Sequence, residues 1–101
     1  MDIQKLMAQA QQMQAGMQKT QEELAAKTVE ARVAGGKVIV VATGAGEVQS
    51  ITIDPSAVDP NDVEFLQDLI LTGVQEAIAN GKAMAAEEMG KLTGGLGIPG
   101  L

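Results

Sequence analysis

The sequence predicts an α+β protein of 101 residues in the order helix, three antiparallel strands in meander order, helix. Three observations predict it. Apolar residues recur at helical spacing near the N-terminus, the period shifts to two between residues 28 and 53, and helical spacing returns after residue 59.

The first helix is expected over residues 2–26. Ile3, Leu6, Ala10, Met13, Met17 and Leu24 alternate spacings of three and four, with Thr20 in the one gap. This narrow stripe is that of a helix facing another helix. Seven of the first 24 residues are glutamine and only five are charged. Gly16 is the one weak helix former inside the pattern.

The sheet is expected over residues 28–53, as runs from Thr28 to Ala34, Lys37 to Thr43 and Glu47 to Ile53. Gly35-Gly36 reads as a two-residue hairpin turn and Gly44-Ala45-Gly46 as a longer one. The middle strand is apolar on both faces and calls for cover on both, which one chain's helices hardly supply.

The second helix is expected over residues 59–90. Asp59-Pro60-Asn61-Asp62 has the pattern of a helix start, with Asp59 as N-cap and Pro60 in the first turn. Residues 91–101, with the glycine-rich run TGGLGIPGL, read as a flexible tail. Helices of about 25 and 30 residues span roughly 37 and 45 Å, whereas a seven-residue strand spans about 23 Å. Both helices must overhang the sheet, and pairing antiparallel they would form an arm. Lys5, Lys82 and Lys91 would lie towards its tip, and a two-fold dimer would carry two arms.

Composition restricts the chemistry. A single domain covering residues 1–101 is expected, small enough for oligomerisation to be a natural supplement to its core. Histidine, cysteine, tyrosine and tryptophan are absent, and Phe65 is the only aromatic residue. The usual catalytic base and thiolate nucleophile are therefore missing, and no catalytic residue, cofactor, metal or small-molecule substrate is expected. No run resembles a signal peptide or membrane span, so a soluble, cytoplasmic protein without a membrane partner is expected. The formal net charge is −6. All of that excess comes from Asp54, Asp59, Asp62, Glu64, Asp68 and Glu76, a stretch with no basic residue.

Asp-Pro turns and a helix cap account for Asp54, Asp59 and Asp62 better than an acid/base pair does, and DPSAVDPNDVE lacks the spacing of a calcium loop. GAG at 44–46 leads into a strand, so no helix N-terminus awaits a phosphate there. Met7, Met13, Met17, Met84 and Met89 read as helix packing that also suits an adaptable partner surface.

The order of LMAQAQQMQ, AGGKVIV, EVQSITIDP, VDPNDVEFLQDLI and MGKLTGGLGIPG resembles the YbaB/EbfC family of bacterial nucleoid-associated proteins across nearly the whole chain. The resemblance implies an α-β-β-β-α fold and an intertwined homodimer with protruding helical arms. It also implies nucleoid association and binding of duplex DNA with effects on DNA conformation, gene regulation and DNA protection. In the family the two long helices are associated with DNA contact. That carries over to Lys5, Lys19, Lys82 and Lys91 as phosphate contacts, with Gln4, Gln11 and Gln18 as neutral donors. No base-reading motif is present, so binding largely without sequence specificity is expected. The alternative function is a protein-interaction or chaperone-like dimer that grips a polypeptide with Met-lined arms.

Overall fold

A computed structural model describes residues 2–95. The elements are α1 (Ile3–Ala26), β1 (Thr28–Val33), β2 (Val38–Thr43), β3 (Val48–Ile53) and α2 (Val63–Gly95), with single 3-10 turns at Ala34–Gly36 and Pro55–Ala57. The strands form one antiparallel sheet in the order β1-β2-β3. The expected α-β-β-β-α architecture is therefore present, in a body 71 × 23 × 16 Å across.

Asp2 opens α1, its carboxylate accepting from the backbone N–H groups of Gln4 and Lys5 at 3.1 and 3.3 Å. The helix ends at Lys27, whose extended backbone turns the chain into β1. The hairpin between β1 and β2 differs from the two-residue turn expected. Val33 pairs with Val38, so four residues bridge the strands. Ala34, Gly35 and Gly36 take φ of 53°, 68° and 89° in succession, a left-handed path that glycine adopts without steric cost. β1 accordingly ends and β2 begins one residue inside the expected run, and β3 begins one residue late, at Val48. β2 and β3 hold register from Val38–Ile53 to Val41–Ser50, then slip so that Ala42 faces Val48.

One face of the sheet carries the core. Val38, Val40 and Ala42 of β2 are fully buried, joined by Ala31 and Val33 of β1 and Ala77 of α2. Leu66, Leu69, Ile70 and Val74 of α2 pack against this cluster. Each buried valine contributes about 2 kcal/mol through the area it removes from water. Asn80 of α2 donates from its side-chain amide to the Glu30 carbonyl at 3.2 Å, which ties the helix to the edge strand β1. α2 leaves β3 thinly covered, and Val48 and Ile51 stay exposed. On the other face Ile39 and Val41 are half-buried between Arg32, Glu30, Thr52 and Ser50 of the neighbouring strands.

The start of α2 also differs from expectation. Asp59 does not cap the helix: its carboxylate accepts from the Asn61 N–H at 2.9 Å and its carbonyl from the Asp62 N–H at 2.9 Å. That local turn uses up Asp59, and Asp62 takes over as the cap, accepting from the Phe65 N–H at 3.2 Å. At its far end α2 continues to Gly95, five residues past the expected stop at 90. Intrahelical hydrogen bonding carries it across Gly90, and the remainder of the expected tail, 96–101, lies outside the described residues.

Two glycines let α2 approach the sheet closely. A Cβ at Gly73 would fall 2.8 Å from a Val40 methyl, and one at Gly81 would collide with the Thr43 carbonyl oxygen. Alanine is the better helix former by about 1 kcal/mol, yet overpacking costs about 1–3 kcal/mol. Gly81→Ala should therefore lower the unfolding free energy by about 1 kcal/mol in a urea titration, whereas an unchanged or higher midpoint would show that α2 can lift away from Thr43 freely.

Candidate nucleic-acid interface

Beyond the sheet, α1 and α2 run antiparallel as an arm. Leu92 packs where a Cβ on Gly16 would stand 3.5 Å from it. Lys27 at the end of α1 pairs with Glu88 at 3.8 Å. The apolar stripe expected along α1 is only partly used. Leu24 is buried and Met13 and Thr20 are half-buried, but Ile3, Leu6 and Met17 remain 67%, 48% and 40% exposed. The contacts of α2 with α1 run from Leu24, beside Ala85 and Met89, to Gly16, beside Leu92, so Ile3 and Leu6 lie past them towards the N-terminus and Met17 lies to one side.

Successive residues turn about 100° around a helix, which sorts the rest of α1. Gln4, Gln11 and Gln18 follow one line on the side away from α2, and all three are exposed. Lys5 and Lys19 share one flank, with Gln12 midway between them. Ile3, Ala10 and Met17 follow the opposite flank. That apolar flank leads down to a shallow pocket of about 370 Å³ lined by Gln21, Leu24, Gly44, Ala45, Ala85 and Met89.

The four lysines do not form one cluster. Lys5, Lys19 and Lys82 are exposed and make no ion pair among the described residues. Lys91 is held by Glu87 at 3.9 Å and Glu88 at 3.7 Å, so its charge is locally compensated. Lys82 and Lys91 are nine residues apart and lie on opposite sides of α2, about 180° around the axis. Gln12 stands seven residues from both Lys5 and Lys19.

The carboxylates at the other end of the molecule have structural tasks. Asp59 and Asp62 hold the turn and helix start described above, and Asp54 accepts from the Ser56 N–H at 2.8 Å. The backbone and side-chain hydrogen bonds from Ser56, with a smaller attraction from Lys37, hold the Asp54 carboxyl below its ordinary range against a slight desolvation. Among the described residues no group of three His, Cys, Asp or Glu could hold a metal ion, and no helix is long and apolar enough to cross a membrane.

Comparison with known proteins bears on this geometry. The profile of the YbaB/EbfC DNA-binding family matches residues 1–96. The chain belongs to this family. The family is one of DNA-binding proteins, not of enzymes. A nucleoid-associated protein of Desulforamulus reducens is 57% identical over 100 residues, covering 99% of this chain and 95% of the relative. One from Acetivibrio thermocellus is 55% identical over 101 residues, covering 99% of this chain and 89% of the relative. The crystal structure of an uncharacterized protein from Helicobacter pylori shares the fold, with a TM-score of 0.69 at 23% identity over 95% of this chain and 97% of that one.

Because Asp54 is depressed, its bonds stabilise the fold above the ordinary carboxylate pKa of about 3.9 and are lost as pH falls through the lower folded value. Asp54→Asn should therefore lose less stability than the parent between about pH 5 and pH 3, followed by thermal unfolding. Equal acid sensitivity in the two proteins would mean that the Ser56 contacts do not favour the ionised form.

Proposed function

We propose that this YbaB/EbfC chain acts as a homodimer whose arms bind duplex DNA in the nucleoid, largely without sequence specificity, and alter its conformation. It thereby takes part in nucleoid organisation, gene regulation and DNA protection. The observation that carries the reading is the separation of charge. The acidic run from Asp54 to Glu76 belongs to the sheet end of the molecule, while Lys5 and Lys19 stand among exposed glutamines on the arm with no ion pair among the described residues, and Lys82 sits not towards the tip but at the arm's base, beside the Gly81 that rests on Thr43. Lysines neutralise phosphates, and Gln4, Gln11 and Gln18 can donate hydrogen bonds to them without charge. The acidic end repels DNA and confines it to the arms. The dimer reading is supported by Val48, Ile51, Val63, Phe65 and Leu71, which are 38–56% exposed in the single chain and need apolar cover. Names of the Desulforamulus and Acetivibrio relatives support the nucleoid as the place of action.

The apolar flank of α1 and the pocket beside Met89 favour one second reading, a dimer that grips a polypeptide. Duplex binding by the purified protein distinguishes the two. Lys5 and Lys19 of both protomers give four phosphate contacts and a slope of log affinity on log salt of about −3.6, hence about a hundredfold loss between about 50 and 200 mM salt. Fluorescence anisotropy should show that loss alike for unrelated duplexes. No binding even at about 50 mM salt would leave the polypeptide reading.

A further inference from the structure

Resting on the duplex-binding reading and narrowing its contacts, we infer that phosphate contact is made by a single flank of α1, the line Lys5–Gln12–Lys19, and not by the Gln4–Gln11–Gln18 line or by α2. Charge points there first. Between Asp2 and Glu22 the chain carries Lys5 and Lys19 and no carboxylate. The carboxylate of Asp2 is turned onto the backbone N–H groups that begin the helix. On α2 the segment 82–95, which leaves the sheet beyond Gly81, sets Lys82 and Lys91 against Glu87 and Glu88, and Lys91 is already paired with both. The one stretch of the arm with a net positive charge is thus residues 3–21 of α1.

Geometry narrows it to one flank. Seven residues advance about 10.5 Å along a helix and fall about 20° short of whole turns, so Lys5, Gln12 and Lys19 make a gently winding row about 21 Å long. That length matches roughly six steps of 3.4 Å along a DNA strand. Gln12 lies between the two cations and donates an amide N–H to the phosphates they bracket. The row is bounded at its inner end by Glu23, which stops the duplex short of the sheet. The opposite flank, Ile3, Ala10 and Met17, offers no donor to a phosphate oxygen.

The test compares substitutions of equal charge on the two sides of one exposed helix. Gln12→Glu places a carboxylate in the row, whereas Gln14→Glu places the same charge about 160° away around α1. Anisotropy with a mixed-sequence duplex at about 50 mM salt should show Gln12→Glu binding at least about tenfold more weakly and Gln14→Glu within about twofold of the parent. Circular dichroism and sedimentation confirm that both keep the parent's fold and assembly. Lys5→Gln with Lys19→Gln should reduce the salt slope by about 1.8 for each engaged arm, and Lys82→Gln with Lys91→Gln should leave it unchanged. Equal weakening by the two glutamate variants, or a slope that falls only with the α2 lysines, would overturn the single-flank assignment while leaving duplex binding intact. Failure of the parent protein to bind any duplex would remove the duplex reading itself, and this inference with it.

Discussion

The architecture turns on the Thr43-Gly44 peptide, where three elements meet with no room to spare. The Gly44 N–H donates to the carbonyls of Leu24 and Lys27 at 3.0 and 3.1 Å, which fastens the end of α1 to the end of β2. From the other side the backbone of α2 rests at Gly81 on the Thr43 carbonyl. Thr43 is buried, and its hydroxyl accepts from the N–H groups of Ala45 and Glu47 at 3.2 and 3.3 Å, so the turn into β3 is built on the same residue. Leu24, 3% exposed, seals the junction. A Cβ at Gly44 would lie 2.9 Å from both the Leu24 side chain and its carbonyl oxygen. This junction sets the direction in which both helices leave the sheet.

That direction gives an acidic protein a usable cationic surface. A chain of net charge −6 in which the signs were intermixed would repel a polyanion wherever it approached. Here the carboxylates from Asp54 to Glu76 serve turns, a helix cap and the exposed start of α2, all at the sheet end. The outer arm is neutral or positive, and glutamine supplies donors there without charge. Over distances beyond the Debye length of about 8–10 Å the two ends act on their surroundings almost separately, so the local sign governs and the sum does not.

The same layout leaves the single chain short of cover. α2 spans β1 and β2, and apolar residues on β3 and the outer sides of α2 stay in water. The arm repeats this on a smaller scale: α2 satisfies one side of α1 and leaves the apolar flank ending at Met17 and Met89 open. Two long helices on a sheet of six-residue strands cannot cover every apolar face of each.

Much of this was legible in the residues. The change of period at Thr28, the glycine pairs and the return of helical spacing determined the order and approximate bounds of all five elements, because local backbone preference and amphipathic pattern are properties of contiguous sequence. The segregation of acid was likewise plain from residue order. Tertiary structure alone decided the rest. Whether Asp59 or Asp62 caps α2 depended on which N–H groups the preceding turn had already taken. How much of the α1 stripe is buried depended on how far along α1 the contact with α2 extends, since Leu6 is in phase with buried Leu24 and yet exposed. The grouping of the lysines depended on helical phase and on ion pairs, which engage Lys91 and leave Lys5 and Lys19 open on one flank. Spacing tells which residues of a helix share a side, but only packing in three dimensions tells which side faces water.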